Sequence, residues 1–244
     1  MSVPDKTYYQ TDKTVNDSLR LARILRDHGN FDPGDDEHVP NAFIGTWRGG
    51  TYVACIVTGG MEGYGIRHHT YSIAGKSYTS DPKTGIGKQE KGVKLYNMEE
   101  LAWYLKEHPY STACVIDEVV DSGRTQHGIR HVLRNGLRKR DATHTDQRNG
   151  HSRCIFRMEA NGHEYPLEVR MSNDEIPPLD SGVRVLMAAI HWKKSETITG
   201  EVPDFFVEEV SPTWKVYPWE AAADCREPGE FKDHYPEFHK ILHE

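Results

Sequence analysis

The chain has 244 residues; 30 are Lys or Arg and 37 are Asp or Glu, so its formal net charge is −7 with neutral histidines. Binding to a nucleic-acid backbone through bulk charge needs clustered basic residues, so this composition argues against such a partner, and any phosphate must be held locally. The length suits one α/β domain with an embellishment, or two small domains, and the hydrophobic fraction of 36% allows a packed core.

The sequence lacks the features of a membrane or secreted protein. No apolar run approaches the roughly 18 residues that span a bilayer, and residues 1–10 lack the basic and apolar segments of a signal peptide. We therefore expect a cytoplasmic protein with no membrane partner. A disulfide framework is not expected, because no CxxC spacing occurs among Cys55, Cys114, Cys154 and Cys225.

Hydrophobic periodicity predicts an amphipathic helix over residues 15–27. A short strand is predicted over residues 41–47, and it ends at an Arg-Gly-Gly sequence, residues 48–50. The sequence is again apolar over residues 52–57. Residues 71–92 are rich in Gly, Lys, Ser and Thr and have no sustained periodicity, which predicts a long loop of the kind that forms a mobile lid or is disordered.

The middle of the chain predicts a phosphate-binding βα unit. A helix is predicted over 98–107 and a buried-type strand over 112–120; the strand runs into a polar glycine turn and then into helical sequence at 126–137. Residues 138–182 depart from this alternation: two strand-like runs flank an Asn-Gly turn, which predicts an inserted β-hairpin. Another apolar strand is predicted over 183–192.

The most informative residues lie where the strand at 112–120 ends. Asp117 and Glu118 close the strand, and Asp121 opens a Ser-Gly-x-Thr turn. The N–H groups and hydroxyls of such a turn can hold a phosphate at a helix N-terminus, while carboxylates suit Mg²⁺ and sugar hydroxyls. A simple helix-capping turn would not explain the two strand acids, because a desolvated carboxylate is costly unless it is paired or bound to a cation.

These residues resemble the phosphoribosyl-diphosphate (PRPP) motif of type I phosphoribosyltransferases, in which an apolar strand leads through two acids, two apolar residues and a third acid into a Ser/Thr-Gly-x-Thr turn. Every position from 115 to 125 fits, with Glu118 where aspartate is more usual. The resemblance implies one phosphoribosyltransferase domain over 1–244, with a central, mainly parallel sheet flanked by helices. It also implies a C-terminal hood over 200–244, and we expect the inserted β-hairpin to be an addition to this fold.

The resemblance assigns roles around PRPP. Asp117 and Glu118 would face the ribose and the metal, Mg²⁺, and Asp121 would act as the general base. The 5′-phosphate would be held by the turn residues Ser122, Gly123, Arg124 and Thr125.

Two further segments are similar to parts of the same enzymes. Arg48-Gly49-Gly50 looks like the pyrophosphate-binding loop, where the family often has a non-proline cis peptide, here implied at Arg48-Gly49. Ser77-Tyr78 is similar to the Ser-Tyr that opens the catalytic lid, although an ordinary solvated loop explains these two residues equally well.

The resemblance to the purine enzymes assigns the base site. Lys193 would donate to the 6-oxygen of the base, and Lys194 is the alternative. As in the xanthine–guanine enzymes, Trp214 would stack on the purine and the backbone of Lys215 would read its edge. We interpret Trp219 instead as a core residue.

The sequence therefore predicts a Mg²⁺-dependent phosphoribosyltransferase, a homodimer or homotetramer, that joins a 6-oxopurine to PRPP. Two alternatives remain open: a PRPP- or nucleotide-sensing regulator of the same fold, and a phosphoribosyltransferase for another base. A zinc site at His127 and His131 is disfavoured, because their i, i+4 spacing comes without a third ligand.

Overall fold

The computed structural model describes residues 6–35, 37–80, 87–148, 150–219, 229–237 and 240. The helices are α1 (Thr11–His28), α2 (Gly49–Gly63), α3 (Met98–Glu107), α4 (Arg124–Asn135) and α5 (Glu230–His234). The strands are β1 (Lys6–Tyr8), β2 (Asn41–Trp47), β3 (His69–Ser80), β4 (Gly87–Tyr96), β5 (Thr112–Val120), β6 (Leu137–Arg138), β7 (His144–Arg148), β8 (His151–Ala160), β9 (His163–Met171), β10 (Glu175–Ile176), β11 (Arg184–Trp192), β12 (Phe205–Glu209) and β13 (Trp214–Val216).

Nine strands form a central, mainly parallel sheet in the order β12-β11-β5-β2-β3-β4-β9-β8-β7. The five strands from β12 to β3 run parallel, β4 is antiparallel to β3, and β9 is parallel to β4. Two short pairs, β1 with β13 and β6 with β10, stand apart from it. This confirms the predicted α/β fold with helices packed on the sheet.

The two faces of the sheet bury different side chains of the same strands. On one face, Phe43 and Ile116 pack in a core cluster with residues of α1 and α2. On the other, Ile44 and Val115 pack in a second cluster with residues of α3, α4 and the inserted strands. Because both faces of the sheet are covered, the sequence of β5 is a nearly continuous apolar run, as is typical of buried parallel strands.

Residues 71–92, predicted as a long loop, instead form most of the antiparallel pair β3 and β4. β3 pairs with β2 as far as Ala74, and β4 pairs with β9 over residues 93–95, so residues 78–80 and 87–89 of this ribbon are held by backbone pairing with each other. Such pairing does not require hydrophobic alternation, which explains why the prediction was wrong. Ser77 and Tyr78 lie within β3, and residues 81–86 fall outside the described part of the chain.

The predicted insertion is confirmed as a β-hairpin and contains one more strand. β8 and β9 pair around Asn161 and Gly162, whose φ angles of 51° and 74° are those that a tight hairpin turn requires. β7 pairs with the outer edge of β8, and β9 joins the hairpin to β4. The insertion therefore lengthens the main sheet by three strands.

Two further properties concern membrane spans and cysteines. Within the described residues, every helix is too short or too polar to cross a bilayer. Cys55, Cys114 and Cys154 are free thiols, and Cys225 lies outside the described residues.

The buried carboxylate of Glu99 should anchor the end of the insertion. It is 3% exposed and accepts hydrogen bonds from the backbone N–H groups of Ser172, at 2.6 Å, and Asn173, at 2.7 Å. We predict that Glu99→Gln lowers the free energy of unfolding by about 1.5–3 kcal/mol, because one acceptor becomes a donor that faces an N–H group. Urea denaturation measures this change. Its exposed neighbour provides the control Glu100→Gln, and equal stabilities of the two variants would contradict the prediction.

Candidate functional site

The sequence-predicted residues occupy the carboxyl ends of the parallel strands and the segments that follow them. Asp117 and Glu118 end β5, and Asp121, Ser122 and Gly123 form the turn into α4, whose first residues are Arg124 and Thr125. Arg48 precedes α2, Gly49 and Gly50 begin it, and Lys193 follows β11. The remaining predicted residues are Ser77 and Tyr78 in β3 and Trp214 and Lys215 in β13.

The turn between β5 and α4 has the predicted strand–turn–helix form. Gly123 has a φ of 78°, a left-handed conformation that glycine adopts without a steric penalty. A side chain at this position would also overlap the Thr199 hydroxyl. α4 starts directly after this glycine, so its first N–H groups face the turn, as an anion site at a helix N-terminus requires.

The Asp117 carboxylate is held by α4. It accepts a hydrogen bond of 2.6 Å from the Gln126 side chain and one of 3.0 Å from the backbone N–H of Glu118. Burial raises the pKa of the Asp117 carboxyl, because the charged form loses its water, and these hydrogen bonds oppose the rise. Sequence reasoning missed Gln126; the available signal was its position in the first turn of α4.

The start of α2 packs directly against the end of β5. A methyl group added at Gly49 would overlap the Glu118 carboxylate, and one at Gly50 would lie 2.6 Å from the Ile116 carbonyl oxygen and 2.8 Å from the Cα of Asp117. Two motifs almost 70 residues apart in the sequence therefore form one site. A carboxylate beside the positive end of a helix dipole is also electrostatically favourable.

The cis peptide bond of this loop joins Trp47 and Arg48, one bond before the implied position at Arg48-Gly49. Gly49 is already the first residue of α2, so the cis bond lies before the helix begins. Arg48 itself is exposed.

Lys193 and Asp121 form an ion pair. The Lys193 ammonium lies 3.3 Å from a carboxylate oxygen of Asp121, and Lys193 is only 4% exposed. The Lys193 N–H also donates to the carbonyl of Val120, because β5 and β11 are neighbouring parallel strands that end at the same edge. Lys194, the alternative lysine, is exposed and lies 3.9 Å from Glu209.

The segment that follows β11 packs against the turn between β5 and α4. The carbonyl of Ser122 accepts a hydrogen bond of 3.1 Å from the Ile198 N–H, and the Thr197 hydroxyl donates to the carbonyl of Asp121 at 3.0 Å. At 3.4 Å, Asn161 of the hairpin turn donates to the Ile198 carbonyl. The insertion thus reaches the site through this segment, a contact that no sequence pattern indicated.

Trp214 packs with Tyr8, Val216 and Tyr235 in a small hydrophobic cluster. Its strand, β13, pairs with β1 at the amino terminus, which sequence periodicity could not show. The stacking role of Trp214 therefore stays a prediction.

Lys215 is buried, and its ammonium donates to the hydroxyls of Thr213, at 2.8 Å, and Ser211, at 3.1 Å. Its side chain is thus engaged with its own loop. The role assigned to its backbone stays a prediction.

Tyr217, an aromatic residue that sequence reasoning missed, contacts the backbone at the end of β5. Its hydroxyl donates to the carbonyl of Glu118 at 3.4 Å. The ring stacks on Trp219 at a centroid distance of 5.3 Å, and Trp219 stacks on Tyr52 at 5.1 Å. Trp219, interpreted as core, is partly buried and packs against the core cluster of the α1 and α2 face.

Neither a family model nor a curated protein matches the sequence. Among solved structures, a hypothetical protein from Neisseria gonorrhoeae with bound ppGpp is similar over 98% of this chain and 99% of that chain, at 17% identity and a TM-score of 0.52. An HGPRT-ase from Leishmania tarentolae in complex with GMP is similar over 86% and 85%, at 8% identity and a TM-score of 0.46. A hypoxanthine-guanine phosphoribosyltransferase from Bacillus anthracis is similar over 85% of each chain, at 13% identity and a TM-score of 0.42. At such identities the likeness concerns the fold alone.

We predict that Gly50→Ala lowers the free energy of unfolding by about 1–3 kcal/mol, because its methyl group would press on the backbone of β5. Gly59→Ala in the same helix is the matched control, since a methyl group there meets no atom within 4 Å. The control should gain up to about 1 kcal/mol from helix propensity. Thermal and urea unfolding measure both changes, and a stabilised Gly50→Ala variant would refute the close packing.

Proposed function

We propose that the protein is a phosphoribosyltransferase that binds PRPP with Mg²⁺ and transfers the phosphoribosyl group to a 6-oxopurine, releasing pyrophosphate. The observation that carries the proposal is the packing of Gly49 against the Glu118 carboxylate. It puts a glycine-rich helix start, suited to a diphosphate, beside acids suited to a cation and a ribose.

Two helix N-termini would hold the two phosphate groups of the substrate. The 5′-phosphate would bind at the start of α4, to Ser122, Gly123, Arg124 and Thr125. The diphosphate would bind at the start of α2, to Arg48, Gly49 and Gly50. Both helices exceed two turns, so each offers N–H groups and a favourable dipole to an anion.

The acids at the end of β5 fit a magnesium ion. Asp117 and Glu118 supply the oxygen donors that Mg²⁺ prefers, and the missing side chain of Gly49 leaves the Glu118 carboxylate next to the helix start. When bound, the ion would neutralise charge on the diphosphate. Its positive charge would also favour the charged form of Asp117, and so oppose the rise in the pKa of this carboxyl that burial causes.

The ion pair supports the base assignment. Asp121 would accept the proton that the purine loses as the glycosidic bond forms, and Lys193 would donate to the 6-oxygen. A 6-amino base would present a donor to Lys193 and leave it without an acceptor, so 6-oxopurines should be favoured. Ser77 and Tyr78 would belong to a lid that excludes water, and a homodimer or homotetramer in the cytoplasm remains our expectation.

A nucleotide-sensing protein is the second candidate. The ion pair is also compatible with it, because the Lys193 ammonium already balances the charge of the Asp121 carboxylate, and a sensor needs no proton acceptor there. The similar Neisseria gonorrhoeae protein was crystallised with ppGpp, which makes this nucleotide the probe for the second candidate.

A steady-state assay with PRPP, Mg²⁺ and single bases, together with calorimetry of ppGpp binding, separates the two candidates. The bases are guanine, hypoxanthine, xanthine, adenine, uracil and orotate, and pyrophosphate release is followed. Turnover confined to the 6-oxopurines is the expected result. Binding of PRPP or ppGpp without turnover of any base would reject catalysis and favour the sensor.

Asp121→Asn should lower kcat by about 10²–10⁴-fold, the usual contribution of a general base, while PRPP binding changes little. Steady-state kinetics and calorimetry with PRPP measure the two effects. An unchanged kcat would remove the assigned role of Asp121.

Lys193→Met should lower kcat/KM for guanine and hypoxanthine, because the 6-oxygen loses its donor. The matched control is Lys194→Met, since that neighbour is exposed and its ammonium is 3.9 Å from Glu209. Equal kinetics of the two variants would show that Lys193 does not read the base.

A further inference from the structure

A second cluster of ligating side chains lies where α1, β11 and β12 meet. Asp17, His191 and Glu208 each offer one ligand atom, and these atoms lie within 4.8 Å of one another. Asp17 and His191 are buried, and Glu208 is exposed. The proposed reaction uses none of these side chains.

His191 aims a buried nitrogen into this cluster. Its side chain has an exposed fraction of 0%, and within the described residues its Nε2 has no hydrogen-bond partner. Nε2 lies 3.6 Å from Asp17 Oδ2, which is too long for a hydrogen bond. Two ligands of one tetrahedral zinc ion, each about 2.0–2.1 Å from the metal, stand about 3.4 Å apart, close to the observed separation.

The other ring nitrogen of His191 is already engaged. Nδ1 lies 2.7 Å from the Tyr217 hydroxyl, and that hydroxyl donates its single proton to the Glu118 carbonyl. We assign the proton of the contact with Tyr217 to Nδ1, because the Tyr217 proton is directed to Glu118, and this tautomer leaves the lone pair on Nε2. Metal-bound histidines are oriented in this way by a partner of their second nitrogen.

We propose that Asp17, His191 and Glu208 bind a divalent transition-metal ion of the Zn²⁺ type. One imidazole nitrogen and two carboxylates suit zinc and its neighbours rather than Mg²⁺, which prefers oxygen ligands only. The two negative charges of the acids balance the charge of the ion.

Lys13 is the internal competitor for this site. Its ammonium lies 2.6 Å from Asp17 Oδ2 and 3.3 Å from Glu208 Oε2, so it balances part of the acidic charge. The lysine side chain is 46% exposed and can turn into solvent when an ion binds. Arg20 holds the other oxygen of Asp17 at 3.1 Å and keeps this carboxylate in place.

The proposal is tested by titrating chelator-treated protein with Co²⁺, whose visible absorption reports a nitrogen and oxygen ligand set, and with Zn²⁺ by calorimetry. We expect one ion per chain. Glu208→Gln should weaken binding about tenfold or more, about 1.4 kcal/mol, and His191→Gln should abolish the Co²⁺ spectrum. Lys13→Met should strengthen binding, because the competing ammonium is gone.

Matched controls exist for both ligand variants. Glu209→Gln changes the exposed neighbour of Glu208, and His144→Gln changes an exposed histidine of β7. Because Glu208 is 47% exposed, its variant should fold even if the His191 variant does not. Binding that is absent, that is equal in wild type and Glu208→Gln, or that is lost in the control variants would overturn the proposal.

Discussion

The site depends on the close contact between the first turn of α2 and the last residues of β5. Glycine at position 50 lets the helix start meet the strand, because a side chain there would overlap the β5 backbone, and glycine at position 49 leaves room for the Glu118 carboxylate. The contact sets the distance between helix N–H groups and carboxylates. One small region thereby combines helix N–H groups, which suit an anion, with carboxylates, which suit a cation, and neither motif would define a site alone.

Parallel strand order supplies the remaining groups. β2, β5 and β11 are neighbours, so the residues that follow them converge at one edge of the sheet, where open α/β sheets commonly bind ligands. This is how Lys193 meets Asp121 across 72 positions of sequence. The insertion extends the sheet laterally, beyond β4. It nevertheless contacts the residues at the carboxyl ends of the parallel strands, because the Tyr165 hydroxyl donates to the Arg124 carbonyl at 3.2 Å. The insertion thus supports the first turn of α4.

The sequence was informative where a local pattern carried the chemistry. The strand, turn and helix at 112–135 and the hairpin at Asn161 follow from apolar runs and glycine turns, and the structure has both. α2 was not predicted, because its glycines have poor helix propensity, and packing on α1, β2 and β5 stabilises it. Contacts made across the chain, such as that of Tyr217 with Glu118, leave no local signal.

In the proposed function, charge would couple the binding of the anionic substrate to the binding of a cation by the acids. The chain carries a net charge of −7, so a polyanionic substrate gains nothing from its overall field. In the proposed function, attraction would come from nearby groups, namely two helix N-termini and the side chains of Arg48 and Arg124. Asp117 and Glu118 would repel a diphosphate in the absence of a cation, and burial, which raises the pKa of Asp117, makes the charge of that carboxylate still less favourable. A divalent ion turns that repulsion into attraction, so binding of the anion and binding of the ion should each strengthen the other.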